Sequence, residues 1–175
     1  MKRLFAIVAA VAVVIAPCAR AEDAQKPKIT VAQALSLLAA LRNLDGHVVA
    51  IKQGASDATV MIPWDFGSGL LRLKIANDIS ILSLNEKSAE DARQGVIKEI
   101  VKGLPEDKRA AGIQAGTPEF SVFQAQYGEA LNAPAQGTQD LARIKASELK
   151  LDKNEIGGTT ISGLMPILDI DVPLK

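Results

Sequence analysis

His47 is the single histidine of this 175-residue chain. Neither a histidine-rich metal site nor a serine–histidine–aspartate triad can be assembled around one imidazole, and its place between a helix stop and a strand reads as structural. Asp152, Asn154 and Gly157 fall at positions 1, 3 and 6 of a calcium-binding loop. Ile156 and Gly163 stand where positions 5 and 12 must supply oxygen ligands, so that loop cannot be completed. Ser147 and Lys150 spell the S-x-x-K of serine–lysine acyl transfer without its companion motifs. Gly67-Ser68-Gly69 lacks the third glycine of a dinucleotide loop, because Arg72 occupies its place. Asp169-Ile170-Asp171 sets two carboxylates on one side of a strand, a weak divalent-ion site at best and more simply a solvated tail. No catalytic residue, metal or cofactor is expected from these residues. The segment that stands out is Trp64-Asp65-Phe66, an aromatic pair in a glycine-flanked turn of a chain with one Trp and one Tyr. Presented outward, the rings would anchor a partner, and these three are the candidate binding residues. Packed inward, they would plug the base of a helix that Asp65 helps to cap.

The first residues follow the grammar of an export signal. Met1, Lys2 and Arg3 form a positive start, Leu4 to Ala16 is an unbroken apolar run, Pro17 ends it, and Ala19-Arg20-Ala21 is an A-x-A cleavage site. The run is short for a bilayer core of roughly 30 Å, which takes about 20 residues. Cleavage is therefore expected between Ala21 and Glu22, with a periplasmic or secreted product. Cys18, the one cysteine, would leave with the signal and take disulfide, thiolate and cysteine–zinc chemistry with it.

Removal of 21 residues leaves 154, enough for one domain. The processed chain would carry 17 basic and 20 acidic residues in interleaved order. Phosphate neutralisation needs clustered Lys and Arg, so nucleic acid is not an expected partner. Nor is an anionic membrane surface, and no later apolar run is long enough to span one. Residues 22–29 read as a flexible lead-in, 30–169 as one globular domain and 170–175 as a tail.

The elements that must position these residues follow from periodicity. Thr30 can cap a helix to about Asn43 with Val31, Ala34, Leu35, Leu38 and Leu41 at helical spacing, and Gly46 sits where a left-handed terminator is wanted. Val48 to Ile51 and Thr59 to Ile62, separated by turn residues and closed by Pro63, read as a β-hairpin that must lean on the helices. From Ser68 a long helix is expected to about Lys102, as one piece or broken near Asn85. Leu71, Ile75, Ile79, Leu82, Ala89, Ala92, Val96, Ile100 and Leu104 form its stripe, with Glu86 interrupting. Thr117-Pro118-Glu119 is a helix start, followed by a Phe120, Phe123, Tyr127, Leu131 stripe that reads as core or as a groove-binding face. Residues 140–158 fit strand and helix equally, and Thr160 to Leu168 fits a short helix.

Pro63-Trp64-Asp65-Phe66-Gly67, Ile75-Ala76-Asn77, Glu90-Asp91-Ala92-Arg93, Lys98-Glu99 and Leu164-Met165-Pro166-Ile167-Leu168, in that order, resemble small uncharacterised proteins encoded in phages and prophages. The resemblance spans Ala32 to Leu168 and implies no activity, and those proteins usually lack an export signal.

The sequence therefore points to a mainly α domain of three or four helices, one of them long, with a small β-hairpin; an α+β fold is the alternative. The function expected is that of an exported, soluble, non-enzymatic protein with a structural role or one that binds another macromolecule, with another exported protein as the expected partner. The alternatives are a small-molecule binding protein with a helical pocket near Trp64, and a carboxylate-only hydrolase.

Overall fold

The chain folds around its first helix, in a computed structural model that describes residues 28–53 and 56–172. The expected signal and its Ala21–Glu22 cut lie outside the described residues. Helix α1 (Val31–Arg42) starts where local chemistry dictates. The Thr30 hydroxyl accepts from the Gln33 backbone N–H, and the Gln33 side chain accepts from the Thr30 N–H, a reciprocal cap. Its buried face is broader than a single stripe. Leu37 and Ala40 are buried along with Val31, Ala34, Leu38 and Leu41, while Leu35 is only half-buried. The reason is that α1 is packed by three other helices at once.

Strands β1 (His47–Gln53) and β2 (Ser56–Ile62) form an antiparallel hairpin in which His47 faces Ile62 and Val48 faces Met61. Gly46 serves this junction, but not as a left-handed terminator. A Cβ there would lie 2.4 Å from the Ile62 carbonyl oxygen, so its missing side chain lets the strand pass. The hairpin leans less on the helices than its size predicts, with His47 stacked on Trp64 at its base. Its strands pack chiefly on each other, and none of residues 47–50 or 58–62 joins the core.

Helix α2 (Gly69–Gly103) is continuous over 35 residues, about 52 Å at the usual rise. The Ser68 hydroxyl accepts from the Leu70 N–H at its start. Its buried positions are Leu71, Ile75, Asp78, Leu82, Asn85 and Ala89, alternating by four and three. Two of the six are polar, and both hold the irregular chain that follows α4. The Asn85 carboxamide takes both backbone groups of Gln136, accepting from its N–H at 2.8 Å and donating to its carbonyl at 3.0 Å. Asp78 accepts from the Ala142 N–H at 2.9 Å. Burial pushes the Asp78 carboxyl above the ordinary aspartate range, and its second oxygen has no hydrogen-bond partner. Glu86, the interruption in the stripe, is exposed and paired with Arg42 at 2.8 Å.

Beyond Ala89 the long helix leaves the core and is joined by a one-turn helix α3 (Glu106–Arg109) to α4 (Pro118–Asn132), which returns along it. The α4 start follows its expected chemistry, with Thr117 accepting from the Phe120 N–H and Pro118 in the first turn. Its aromatic stripe is not core. No α4 residue is fully buried, and the Phe120, Phe123 and Tyr127 rings stack on one another at 6.3 and 5.5 Å while half-exposed.

The chain then pairs with its own beginning, since the Ala135 N–H donates to Ile29 and the Val31 N–H to Ala133. Ile29 is buried by this contact. Residues 140–158 resolve into a short strand β3 (Ile144–Lys145), a 3-10 turn at Ala146–Leu149 and a loop. The last helix, α5 (Gly158–Leu164), is shorter than expected. Leu168–Asp169 are a strand, β4, parallel to β3. Pro166 cannot continue a helix here, and the Ile144 N–H takes the Ile167 carbonyl instead. The fold is thus mainly α, with an antiparallel hairpin and a small parallel pair.

Candidate functional site

The turn between hairpin and long helix carries the three sequence-selected residues, and they divide by exposure. Phe66 is 4 % exposed and belongs to the core, Trp64 is half-buried against it, and Asp65 is exposed. Trp64 is held on two sides. Its indole N–H donates to the Asn43 carbonyl at the end of α1 (3.0 Å), and its ring stacks on His47 with centroids 4.4 Å apart. The His47 Nδ1 atom is buried without a partner. Arg72, one turn into α2, donates to the Trp64 carbonyl (2.7 Å) and lies over the Phe66 ring.

Asp65 does not cap α2, since Ser68 does so. Its carboxylate accepts from the Gly67 N–H (2.9 Å), a local turn that brings Gly67 to φ +65°. Lys150, itself left-handed at φ +47°, reaches over Gly67 to within 3.9 Å of the same oxygen. A side chain on Gly67 would collide with the Lys150 ammonium. Asn154, which sequence reasoning placed in an incomplete calcium loop, is the hidden member of this site. It is buried, and its amide binds the Asp65 N–H, the Asp65 carbonyl and the Leu149 carbonyl. Asn43, Arg72, Lys150 and Asn154 had no sequence signal as a group. Only the glycine-flanked Trp64-Asp65-Phe66 segment announced a turn.

The other candidates are spent on structure. Ser147 and Lys150 do not form a dyad, for the Ser147 hydroxyl donates to Asp171 and the Lys150 ammonium faces Asp65. The Asp169-Ile170-Asp171 carboxylates diverge to different partners, Asp169 to Arg143 at 2.8 Å and Asp171 to Ser147. The Ser147 hydroxyl and N–H hold the Asp171 carboxyl below the ordinary range. Burial pushes Glu148 up, but the Lys74 ammonium at 2.8 Å and the Lys145 N–H together hold it below the ordinary range. Among the described residues no group of three His, Cys, Asp or Glu side chains is placed to hold a metal ion. No helix among them is long and apolar enough to cross a membrane.

Beside the Trp64 turn stands the hairpin. Val48 is 64 % exposed and its cross-strand partner Met61 61 %, with Val60 and Ile62 at 41 %. The chain matches no protein-family model, no curated protein and no solved structure. Away from the turn, two open grooves of about 640 and 770 Å³ flank the crossing of α1 and α5, sharing Ser36, Ser162 and Gly163 as walls.

Proposed function

We propose that the protein is an exported, non-enzymatic binding protein whose docking surface is the β1–β2 hairpin at the Trp64 turn. The observation that carries this reading is the exposure of Val48 and Met61, opposite each other on one face of a two-stranded sheet. A lone hairpin is marginal in water, and apolar side chains gathered on one face mark a surface that something covers. In this reading Trp64 and Phe66 are the foundation rather than the contact, since they tie the hairpin base to α1 and α2. Asp65 is the exposed member of the turn beside it.

The test is affinity capture from the compartment in which the protein resides, comparing the natural chain with a Val48→Lys/Met61→Lys variant of unchanged melting temperature. Loss of the captured partner supports the reading, and undiminished capture overturns it. Mass spectrometry of the recovered protein checks export directly, with Glu22 expected at its N-terminus. A second reading, small-molecule binding, draws on the 770 Å³ groove lined by Asn43, Thr159, Thr160 and Ser162.

A further inference from the structure

We infer that the hairpin takes a second copy of this chain, with the two β2 strands pairing edge to edge and antiparallel to make one four-stranded sheet. This rests on the reading of the hairpin as a docking surface and names the occupant.

Among the described residues, each strand of the two-stranded sheet has one edge unpaired. Of the two, β2 is the freer. Every residue from Thr59 to Ile62 is exposed, whereas His47 and Val49 of β1 are half-buried and His47 is stacked on Trp64. Proteins commonly blunt a free edge with charge, proline or a bulge. Ala58-Thr59-Val60-Met61-Ile62 has none of these. It is uncharged, rich in β-branched residues and paired with β1 in unbroken register, and Pro63 comes only after the strand has ended.

Charge selects the partner and the direction. The one charged residue of β2 is Asp57, near its start. A two-fold axis at Val60 sets Ala58 against Ile62 of the other copy and Thr59 against Met61. It sends the two Asp57 positions to opposite ends, beside Pro63 of the other copy. A parallel approach would bring the two aspartates side by side, where like charges repel. The same axis places Val60 of one copy against Val60 of the other. It also continues the Val48–Met61 face into Thr59 and Ala50 of the second hairpin, setting Met61 beside Thr59 of the other copy. A five-residue edge is a small interface, at the weak end of specific association, and the expected affinity is micromolar.

Sedimentation velocity of the purified protein across about 1–200 μM brackets that range, and the mass should rise with concentration toward twice the monomer. Val60→Lys would set two ammonium groups face to face on the axis and should weaken the dimer about tenfold or more. Val60→Glu should do the same, and an equimolar mixture of the two variants should recover the dimer. Circular dichroism of each variant confirms an unchanged fold at this exposed position. A dimer indifferent to both changes, or singly charged variants that fail to associate when mixed, overturns the pairing. So does a natural chain that stays monomeric throughout. The docking reading falls separately, only if capture survives the Val48 and Met61 changes.

Discussion

The Asn154 side-chain amide brackets Asp65, accepting from its N–H at 3.2 Å and donating to its carbonyl at 3.1 Å, across 89 residues of chain. A third bond, to the Leu149 carbonyl at 2.9 Å, makes one buried amide the pin between the Trp64 turn and the loop before α5. Asn154→Leu would leave those backbone groups short of partners in a buried place. A stability loss of about 2–4 kcal/mol is expected in urea denaturation. A loss below about 0.5 kcal/mol, the range of ordinary surface changes, would show that the pin carries no strain.

Trp64 divides its contribution between packing and one hydrogen bond. Because the ring is half-buried, Trp64→Ala should cost about 2–3 kcal/mol, below the range of a fully buried aromatic. Trp64→Phe keeps most of the stack on His47 and gives up the bond to Asn43, for about 1 kcal/mol. The two variants, compared by thermal or chemical unfolding, separate the terms. Equal losses would mean that the indole N–H, not the ring, holds the turn.

Asp78 gives stability a pH dependence of unusual sign for a carboxylate. Burial raises its folded pKa above the unfolded value, so the folded state binds the proton more tightly. The stabilising effect is present below the ordinary aspartate pKa and is lost as pH rises through the raised one. As pH rises above the ordinary aspartate range the natural chain should therefore lose stability relative to Asp78→Asn, whose amide oxygen still accepts from Ala142. Parallel pH profiles for the two proteins would contradict this account.

Gly163 marks the closest approach of α5 to α1. A Cβ there would lie 2.7 Å from the Ala40 Cβ and 3.1 Å from the Ser36 carbonyl oxygen. Gly163→Ala should cost about 1–3 kcal/mol by prising the helices apart. Ala40→Gly in the same chain should return part of that loss, despite its own helix penalty of about 1 kcal/mol. A double variant whose loss is the plain sum of the two would rule out the contact as the cause.

The sequence by itself determined the elements whose causes lie within a few residues. The Thr30–Gln33 cap, the Ser68 start and the Thr117-Pro118 start are contacts between chain neighbours, and they set the beginnings of α1, α2 and α4. The hairpin was legible in its two β-branched runs, and the absence of proline between Gly69 and Gly103 left α2 free to run as one piece despite Gly95. Tertiary structure decided what long-range partners decide. Asn85 read only as a place where the long helix could break, and Asp78 carried no signal, until Gln136 and Ala142, 51 and 64 residues away, supply the bonds that make them buriable. Asn154 read as a failed calcium ligand for the same reason. The aromatic stripe of α4 has core spacing, yet spacing cannot say whether another layer will cover it, and here none among the described residues does. The exposed hairpin is the plainest case. Its residue pattern dictates strand pairing, but only the placement of the helices leaves Val48 and Met61 facing solvent.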